Sequence, residues 1–404
     1  MVGLAMARSA MTMSTGGRIA EHMSIGVLAR TYPRERIRDI LERMGLQSRR
    51  VRDLPADALV YYVIALGLFM AVSTGEVLRS LIEGLQWLDG ASTKIKAAGK
   101  SAISQARTRL GAAPLRALWE ETAVPLAQEG QAGAFYRGLR LVSIDGSTLD
   151  VPDTEENLAH FGRQESSRGQ SAFPQLRFVA LCENGPHAIL AVRMGSYATH
   201  ELTLANELVD DLREGMLCLA DRLYPNFSLW KKALSTGAAL LWRTRSNADL
   251  PVEEVLADGS YLSRIYPTVK DKRKKRDGLA VRVVEYKLEG VEGAEPLYRL
   301  ITTLTDCKKY PAQELAALYP ERWEIEVTLD EFKTHMRGGQ VVLRSKTPEL
   351  VEQEFYGLML AHRAVRTLMN EAALRQNLDP DRLSFTHAIQ VIRRKLAAMP
   401  ALSP

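Results

Sequence analysis

Four side chains suited to phosphate chemistry recur along one predicted helix at positions i, i+3, i+7 and i+14, and they are Tyr319, Arg322, Glu326 and Lys333. On an α-helix these positions fall within about 60° of one another. The helix would therefore present a phenol, a guanidinium, a carboxylate and an ammonium group on one face, as a site for a metal ion and phosphate requires. An ordinary surface helix with salt bridges has the same pattern, and this segment alone favours that simpler interpretation.

Two aspartates are expected to lie beside this helix. Residues 139–144 form a predicted apolar strand that ends at Asp145, and residues 217–220 form a short buried strand that ends at Asp221. Each aspartate alone has a simpler explanation, since Asp145 could belong to a turn with Gly146 and Asp221 could cap the next helix. In the predicted sheet, however, the two strand ends are neighbours, and Glu326 would face them.

Three converging carboxylates would repel one another and raise one another's pKa unless cations lay between them. The natural occupants are two Mg²⁺ ions, with Mn²⁺ as a substitute, because these ions take hard oxygen ligands. Two such ions about 3.5–4 Å apart activate a water or hydroxyl nucleophile and stabilise the leaving oxygen of an in-line displacement at phosphorus.

The order of predicted elements indicates an α/β fold. Three antiparallel strands, a helix and two strands of parallel type match the ribonuclease H-like core, a mixed five-stranded sheet with helices. The segments concerned are 139–144, 148–151, 178–182, 188–194, 201–212, 217–220 and 238–244. Further strands at 261–265, 279–288 and 297–304 predict a β-rich insertion.

Helical patterns precede and follow this core. Helices near 34–44, 58–72 and 77–85 lead to a basic segment at 100–110, which outlines a helix-turn-helix DNA-binding domain with Arg107 and Arg109 as candidate DNA contacts. Small helical bundles commonly share this outline. The predicted division is a disordered stretch 1–20, a helical DNA-binding domain 21–130, a first core part 138–246, the insertion 247–306, the core helix of Glu326 in 307–345 and a helical region 346–404.

The densest basic run lies in the predicted insertion, at residues 270–276. Its candidate DNA contacts are Lys272, Arg273, Lys274 and Lys275. A solvated hairpin tip explains the same run equally well.

Composition is that of a globular protein with a basic balance. The 404 residues allow two or three domains, and the net charge of +5 suits a polyanionic partner without proving one. The three cysteines have no paired spacing, which predicts reduced thiols and no zinc site. The longest apolar run, 58–72, is shorter than the roughly 20 residues that span a bilayer, so no membrane is expected. Together these features predict a cytoplasmic protein.

With these residues in place, the chain resembles the DDE transposases of bacterial insertion sequences, in the insertion-sequence-four family. That family is marked by Tyr, two residues, Arg, three residues, Glu, six residues and Lys, a signature that residues 319–333 contain in full. Other similar blocks are 104–111, 145–157 with Phe161-Gly162, 219–222, 343–348 and 384–386, so the resemblance covers about 25–396. One departure is the Leu-Tyr pair after Arg222, where Gly and an aromatic residue are commoner.

The resemblance implies that Asp145, Asp221 and Glu326 ligate the metal ions. Arg322 and Lys333 would hold DNA phosphates near the scissile bond, and Tyr319 would contact the terminal phosphate. Trp323 would stack on an unpaired base, although we favour a core position for this side chain.

The implied activity is cut-and-paste transposition. The protein would bind the terminal inverted repeats of its element, cleave the 3′ strand with activated water and use the freed 3′-hydroxyl for strand transfer. A homodimer would pair two DNA ends, with a hairpin intermediate allowed. Two alternatives stay open: a metal-dependent DNA nuclease of the same fold without strand transfer, and a repurposed DNA-binding protein without catalysis. A purely structural helical protein would not account for the strand-end aspartates.

Overall fold

A large mixed β-sheet forms the centre of the protein and helices cover it. The computed structural model describes residues 23–48, 54–79, 81, 99–166, 169–288, 295–336 and 342–397. The predicted disordered stretch 1–20 and part of the predicted helix 77–85 lie outside these residues. Ser73 begins that helix as predicted, since its hydroxyl accepts a hydrogen bond from the Glu76 N–H at 3.3 Å.

Twelve strands are described: β1 Phe135–Tyr136, β2 Leu139–Asp150, β3 Glu165–Ser166, β4 Gly169–Gln170, β5 Gln175–Glu183, β6 Ala188–Ser196, β7 Met216–Ala220, β8 Ala239–Thr244, β9 Glu254–Val255, β10 Tyr261–Ile265, β11 Leu279–Tyr286 and β12 Tyr298–Thr302. Ten of them form one sheet in the order β6-β5-β2-β7-β8-β12-β11-β10-β9, with β1 paired to β2, whereas β3 and β4 form a separate pair. Strands β2, β7 and β8 are parallel, and the other neighbours in the sheet are antiparallel.

The predicted α/β class with a mixed sheet is confirmed. The strands of the predicted insertion continue the same sheet, because β12 pairs with β8 along its free edge. One strand boundary was wrong: β2 runs through Asp145 and Gly146, which remain paired with Ala180 and Val179 of β5. The turn considered for Asp145 is therefore absent.

The described part of the chain contains the α-helices α1 Met23–Thr31, α2 Arg34–Arg43, α3 Ala56–Leu68, α4 Lys100–Leu110, α5 Ala113–Thr122, α6 Glu155–Phe161, α7 Glu201–Leu208, α8 Phe227–Ser235, α9 Val269–Arg273, α10 Ala312–Leu318, α11 Trp323–Asp330, α12 Pro348–Gln376 and α13 Phe385–Ala397. Residues 74–79 are also helical. The described part of the chain contains no helix both long and apolar enough to cross a membrane.

The two helical regions share one hydrophobic core. The cluster joins α3 and α12 to residues of β5 such as Phe178 on one face of the sheet, and it includes Phe332 after α11. Its aromatic centre is formed by Phe178, Phe332 and Phe355, whose ring centroids lie 5.4–5.8 Å apart. Burial of this face fixes the helix that carries Glu326 against the sheet.

Helices α3 and α12 cross in close backbone contact at two glycines. A Cβ atom at Gly357 would lie 2.8 Å from the Val63 carbonyl oxygen, and one at Gly67 would lie 3.0 Å from Leu358 Cα. We expect Gly357→Ala to destabilise the protein by about 1–3 kcal/mol, because the helices must separate to accept the methyl group. Urea unfolding measures this, with Gly75→Ala as the control, since no atom of the described residues lies within 4 Å of a Cβ there. Equal unfolding midpoints for both variants would contradict the close contact.

Candidate active site

Asp145 and Asp221 lie level with each other on neighbouring parallel strands. The register pairs Ser143 of β2 with Leu219 of β7, so two residues further along the strands Asp145 comes beside Asp221, which directly follows β7. β7 ends at Ala220, whereas β2 continues along β5. The edge where β7 stops therefore brings the two predicted carboxylates together.

Arg322 links Glu326 to Asp145. The Arg322 Nη2 donates a hydrogen bond to Glu326 Oε1 at 2.6 Å, and its Nη1 lies 3.7 Å from Asp145 Oδ2. Arg322 is buried, with 6% of its surface exposed. Its guanidinium thus lies between two of the three predicted metal ligands.

The segment from Tyr319 to His335 is not one regular α-helix. Residues Tyr319–Arg322 form a 3₁₀ turn, α11 follows, and Glu331–His335 form a π-helical turn. The constant α-helical pitch assumed for the four signature side chains is therefore not kept along this segment. Tyr319 is buried and its hydroxyl donates to the Ala220 carbonyl oxygen at 3.2 Å, whereas Glu326 and Lys333 are partly exposed.

The carboxyl group of Asp145 has its pKa raised to about 7. Burial is the largest cause, and the charges of Asp221 and Glu201 add to it, while the Gly146 N–H and Arg322 oppose it. Several oxygen ligands with too little positive charge among them fit a hard divalent cation, which would neutralise this excess. The donor set therefore suits the metal ions that the sequence predicted.

This raised pKa predicts a pH-dependent stability in the presence of EDTA. The folded state holds the Asp145 proton more tightly than the unfolded state, so ionisation costs stability as the pH rises from 3.8 to about 7. We expect Asp145→Asn to increase the free energy of unfolding at pH 8 by on the order of 2 kcal/mol, and by less at pH 5. Urea unfolding at both pH values tests this, with the exposed Glu207→Gln as control. An equal gain at both pH values would argue against it.

A fourth carboxylate, Glu201 at the start of α7, also lies at this place. Its Oε1 accepts a hydrogen bond from the Tyr224 hydroxyl at 2.7 Å, and its charge acts on Asp145. Sequence analysis missed both residues. The available signal was an acidic residue in the first turn of a helix, which is common for dipole reasons alone.

Trp323 and the basic residues of α4 lie in different environments. Trp323 is 58% exposed, so the core position favoured from the sequence was wrong, and the Arg322 guanidinium lies 4.8 Å from its ring centroid.

The two candidate arginines of α4 differ in exposure. Arg109 is exposed, but Arg107 is buried and donates to Gln353 Oε1 at 2.8 Å and Ser345 Oγ at 2.9 Å. The DNA contact expected of Arg107 is not retained, because its guanidinium holds α4 to α12.

The basic run of the insertion occupies α9 and the turn after it. Arg273, Lys274 and Lys275 are exposed. Lys272 is partly buried, and its Nζ donates to the Asp249 carbonyl oxygen at 3.0 Å. The first three residues are therefore free to meet a polyanion, and Lys272 has a structural partner.

A separate group of metal-ligating type lies on the other side of α11. It consists of His187, Glu324 and Asp381, whose ligand atoms lie within 4.8 Å of one another. Glu324 is two residues from Glu326, and such side chains point in nearly opposite directions on a helix. His187 Nδ1 contacts Arg366, and its buried Nε2 lies 3.0 Å from Asp381 Oδ1.

Two families of known sequences match the chain. The family described as "Insertion element 4 transposase N-terminal" matches residues 22–120, and the "Transposase DDE domain" matches residues 136–363. The DDE match spans Asp145, Asp221 and the whole Tyr319–Lys333 segment.

Two Escherichia coli K12 proteins are similar in sequence. The transposase InsG of insertion sequence element IS4 is 31% identical over 373 residues, which is 92% of this chain and 82% of InsG. InsZ, a protein named as a transposase, is 28% identical over 202 residues, covering 50% of this chain and 64% of InsZ. A solved piggyBac transposase synaptic complex with hairpin DNA covers 96% of this chain and 84% of its own at 14% identity, and its TM-score of 0.45 supports no inference. From the sequence matches, the chain belongs to the insertion-sequence-4 family of DDE transposases.

Proposed function

We propose that this transposase binds the terminal inverted repeats of its element and catalyses strand cleavage and 3′-hydroxyl strand transfer at Asp145, Asp221 and Glu326. The observation that carries the proposal is the parallel register that brings Asp145 level with Asp221, together with the Arg322 contacts to Asp145 and Glu326. DDE transposase domains use divalent metal ions, and we propose two Mg²⁺ ions here.

We further propose that β6, β5, β2, β7 and β8 form a ribonuclease H-like core. Their order and directions support it, since three antiparallel strands are followed by two strands parallel to the first. Residues 247–306 are then the insertion that extends this core. In the proposed layout the helices of 21–130 bind DNA, and those of 346–404 support both them and α11.

Several cations near the three carboxylates would position the DNA. Arg322 and Lys333 would donate to phosphate oxygens beside the scissile bond, and the exposed Trp323 would stack on an unpaired base. Arg322 now serves as counter-ion to Asp145 and Glu326, so DNA and metal binding would free it for a phosphate. Tyr319 would reach the terminal phosphate only by exchanging its hydrogen bond to Ala220.

Basic residues farther from the three carboxylates would add affinity for DNA without reading its base sequence. The exposed candidates are Arg109, Arg273, Lys274 and Lys275. The target DNA would follow the same basic surface. The proposed assembly is a homodimer that pairs two element ends, acting at the nucleoid in the cytoplasm.

Bound metal ions would activate the attacking water or hydroxyl and stabilise the leaving 3′-oxygen. The protein's own residues would hold the phosphodiester so that the nucleophile, the phosphorus and the leaving oxygen lie on one line. One site can serve cleavage and joining, since both are displacements at phosphorus.

The test uses the purified protein, a duplex that carries the element's inverted repeat, a supercoiled target and Mg²⁺. We expect cleavage at the 3′ end of the repeat and joined products that require a free 3′-hydroxyl. A 3′-dideoxy end on a precleaved substrate is the matched control, because it should bind normally and join to nothing. Cleavage without joining would favour a nuclease, and binding without cleavage in Mg²⁺ or Mn²⁺ would favour a non-catalytic DNA-binding protein.

A further inference from the structure

Glu201 contacts both chain segments that carry the two strand-edge aspartates. It begins α7, which lies between β6 and β7 in the sequence, and its carboxylate reaches the residue after Asp145 and the turn after Asp221. We propose that Glu201 and Tyr224 are positioning residues that hold Asp145 and Asp221 at the spacing their metal ions need, an inference that rests on the proposed active site.

The contact on the Asp145 side is made through Gly146. A Cβ atom at this glycine would lie 2.6 Å from Oε1 and 2.7 Å from Oε2 of Glu201, so a side chain here would force the Glu201 carboxylate out of its position. The glycine has ordinary strand pairing with Val179, so its backbone conformation does not explain its presence. The space that a side chain would take is filled by the Glu201 carboxylate.

The contact on the Asp221 side is made through Tyr224. This side chain is fully buried in the core under the sheet, and its hydroxyl donates to Glu201 Oε1 at 2.7 Å. Between the two residues the chain forms a tight turn, in which the Leu223 N–H donates to Asp221 Oδ1 at 2.8 Å. A shift of the tyrosine would therefore move the turn that orients the Asp221 carboxylate.

Glu201 is held by these two contacts. Among the described residues, no Lys, Arg or His forms an ion pair with it, in contrast to Glu183, which pairs with Arg140. A hydrogen-bond acceptor of the same shape should therefore serve, whereas a negative charge is not itself required. This distinguishes a positioning residue from a fourth metal ligand, for which the charge would matter.

The experiment measures end cleavage at saturating DNA across a Mg²⁺ titration for Glu201→Ala, Glu201→Gln and Tyr224→Phe. We expect the alanine and phenylalanine variants to be about 10- to 100-fold slower and to need more Mg²⁺ for half-maximal rate, as is usual when a partner of a metal ligand is lost. Glu201→Gln should recover most of the rate, because its amide oxygen still accepts the Tyr224 hydrogen bond.

Two controls separate this effect from general loss of structure. Glu207→Ala removes an exposed carboxylate from the same helix, and Tyr61→Phe removes a buried hydroxyl that donates to the Tyr32 carbonyl oxygen at 2.6 Å. Neither should change the Mg²⁺ requirement, whatever it does to the unfolding temperature. End-DNA binding by every variant is measured by gel shift.

The outcomes separate this inference from the proposed active site. Failure of the wild type to cleave, or full activity of Asp145→Asn, would overturn the active site itself. An inactive Asp145→Asn with unchanged Glu201→Ala and Tyr224→Phe would overturn only the positioning role. A Glu201→Gln variant as slow as Asp145→Asn would also overturn it, because Glu201 would then act through its charge.

Discussion

Replacing Asp145, Asp221 or Glu326 singly with its amide is expected to abolish end cleavage while end-DNA binding persists. Each amide keeps the shape of the side chain but removes a charged oxygen ligand. Loss of a residue that only contacts a metal ligand typically lowers activity roughly 10- to 100-fold, and loss of a direct ligand should lower the cleavage rate further. Cleavage of labelled end duplex in Mg²⁺ and in Mn²⁺ measures the rate. Gel shift with the same duplex measures binding.

The arrangement around Arg322 makes this prediction specific. Arg322 contacts both Asp145 and Glu326, so a single amide variant at either position leaves the buried guanidinium one carboxylate partner, and the protein should stay folded. Glu207→Gln is the matched control, since it changes an exposed carboxylate outside the site. Cleavage that survives Glu326→Gln would mean that the chemistry occurs elsewhere, and the group around His187 and Glu324 would then be the next to examine.

The placement of Asp145 beside Asp221 could be predicted because β strands impose a simple geometry. Parallel strands that end at one edge bring their last residues together, and the short apolar strand before Asp221 was recognisable. The first strand was harder, because Asp145 continues in pairing with β5 after its pairing with β7 has ended. The position of the site depends on where the pairing of β2 with β7 ends. Sequence patterns do not show that β2 continues to pair with β5 beyond that point.

The environment of side chains on helices was less predictable. The spacing from Tyr319 to Lys333 assumed a constant pitch, which the 3₁₀ and π turns do not keep. Trp323 was assigned to the core on its type, although its neighbour Arg322 turns inward and leaves the indole exposed. Glu201 lies 55 residues after Gly146, and nothing in the sequence shows that this distance closes in the fold.

A second group of charges, built around Glu331, decides how α11 is held in the core. Glu331 follows α11 and is only 4% exposed, and it accepts hydrogen bonds from Arg366 Nε at 2.8 Å and lies 3.2 Å from His362 Nε2. Burial alone would raise the pKa of Glu331. Hydrogen bonds from His187 and His362 and the charge of Arg366 outweigh burial and hold this pKa well below its usual range.

Arg366→Met is therefore expected to destabilise the protein by about 3–5 kcal/mol, because it leaves the Glu331 carboxylate buried without its arginine partner. Methionine fills much of the same space, so the loss comes mainly from charge. The Glu331→Gln, Arg366→Met double variant should be more stable than Arg366→Met alone, since no charge is then left unpaired. Urea unfolding of the wild type, of each single variant and of the double variant measures this coupling, and purely additive losses would argue against it.

The pH dependence of stability gives an independent check. The stability that ionised Glu331 contributes is present above the unfolded-state pKa, and it is lost as the pH falls through the lower folded-state pKa. In Arg366→Met this dependence should weaken or reverse, because protonation would then relieve the buried charge.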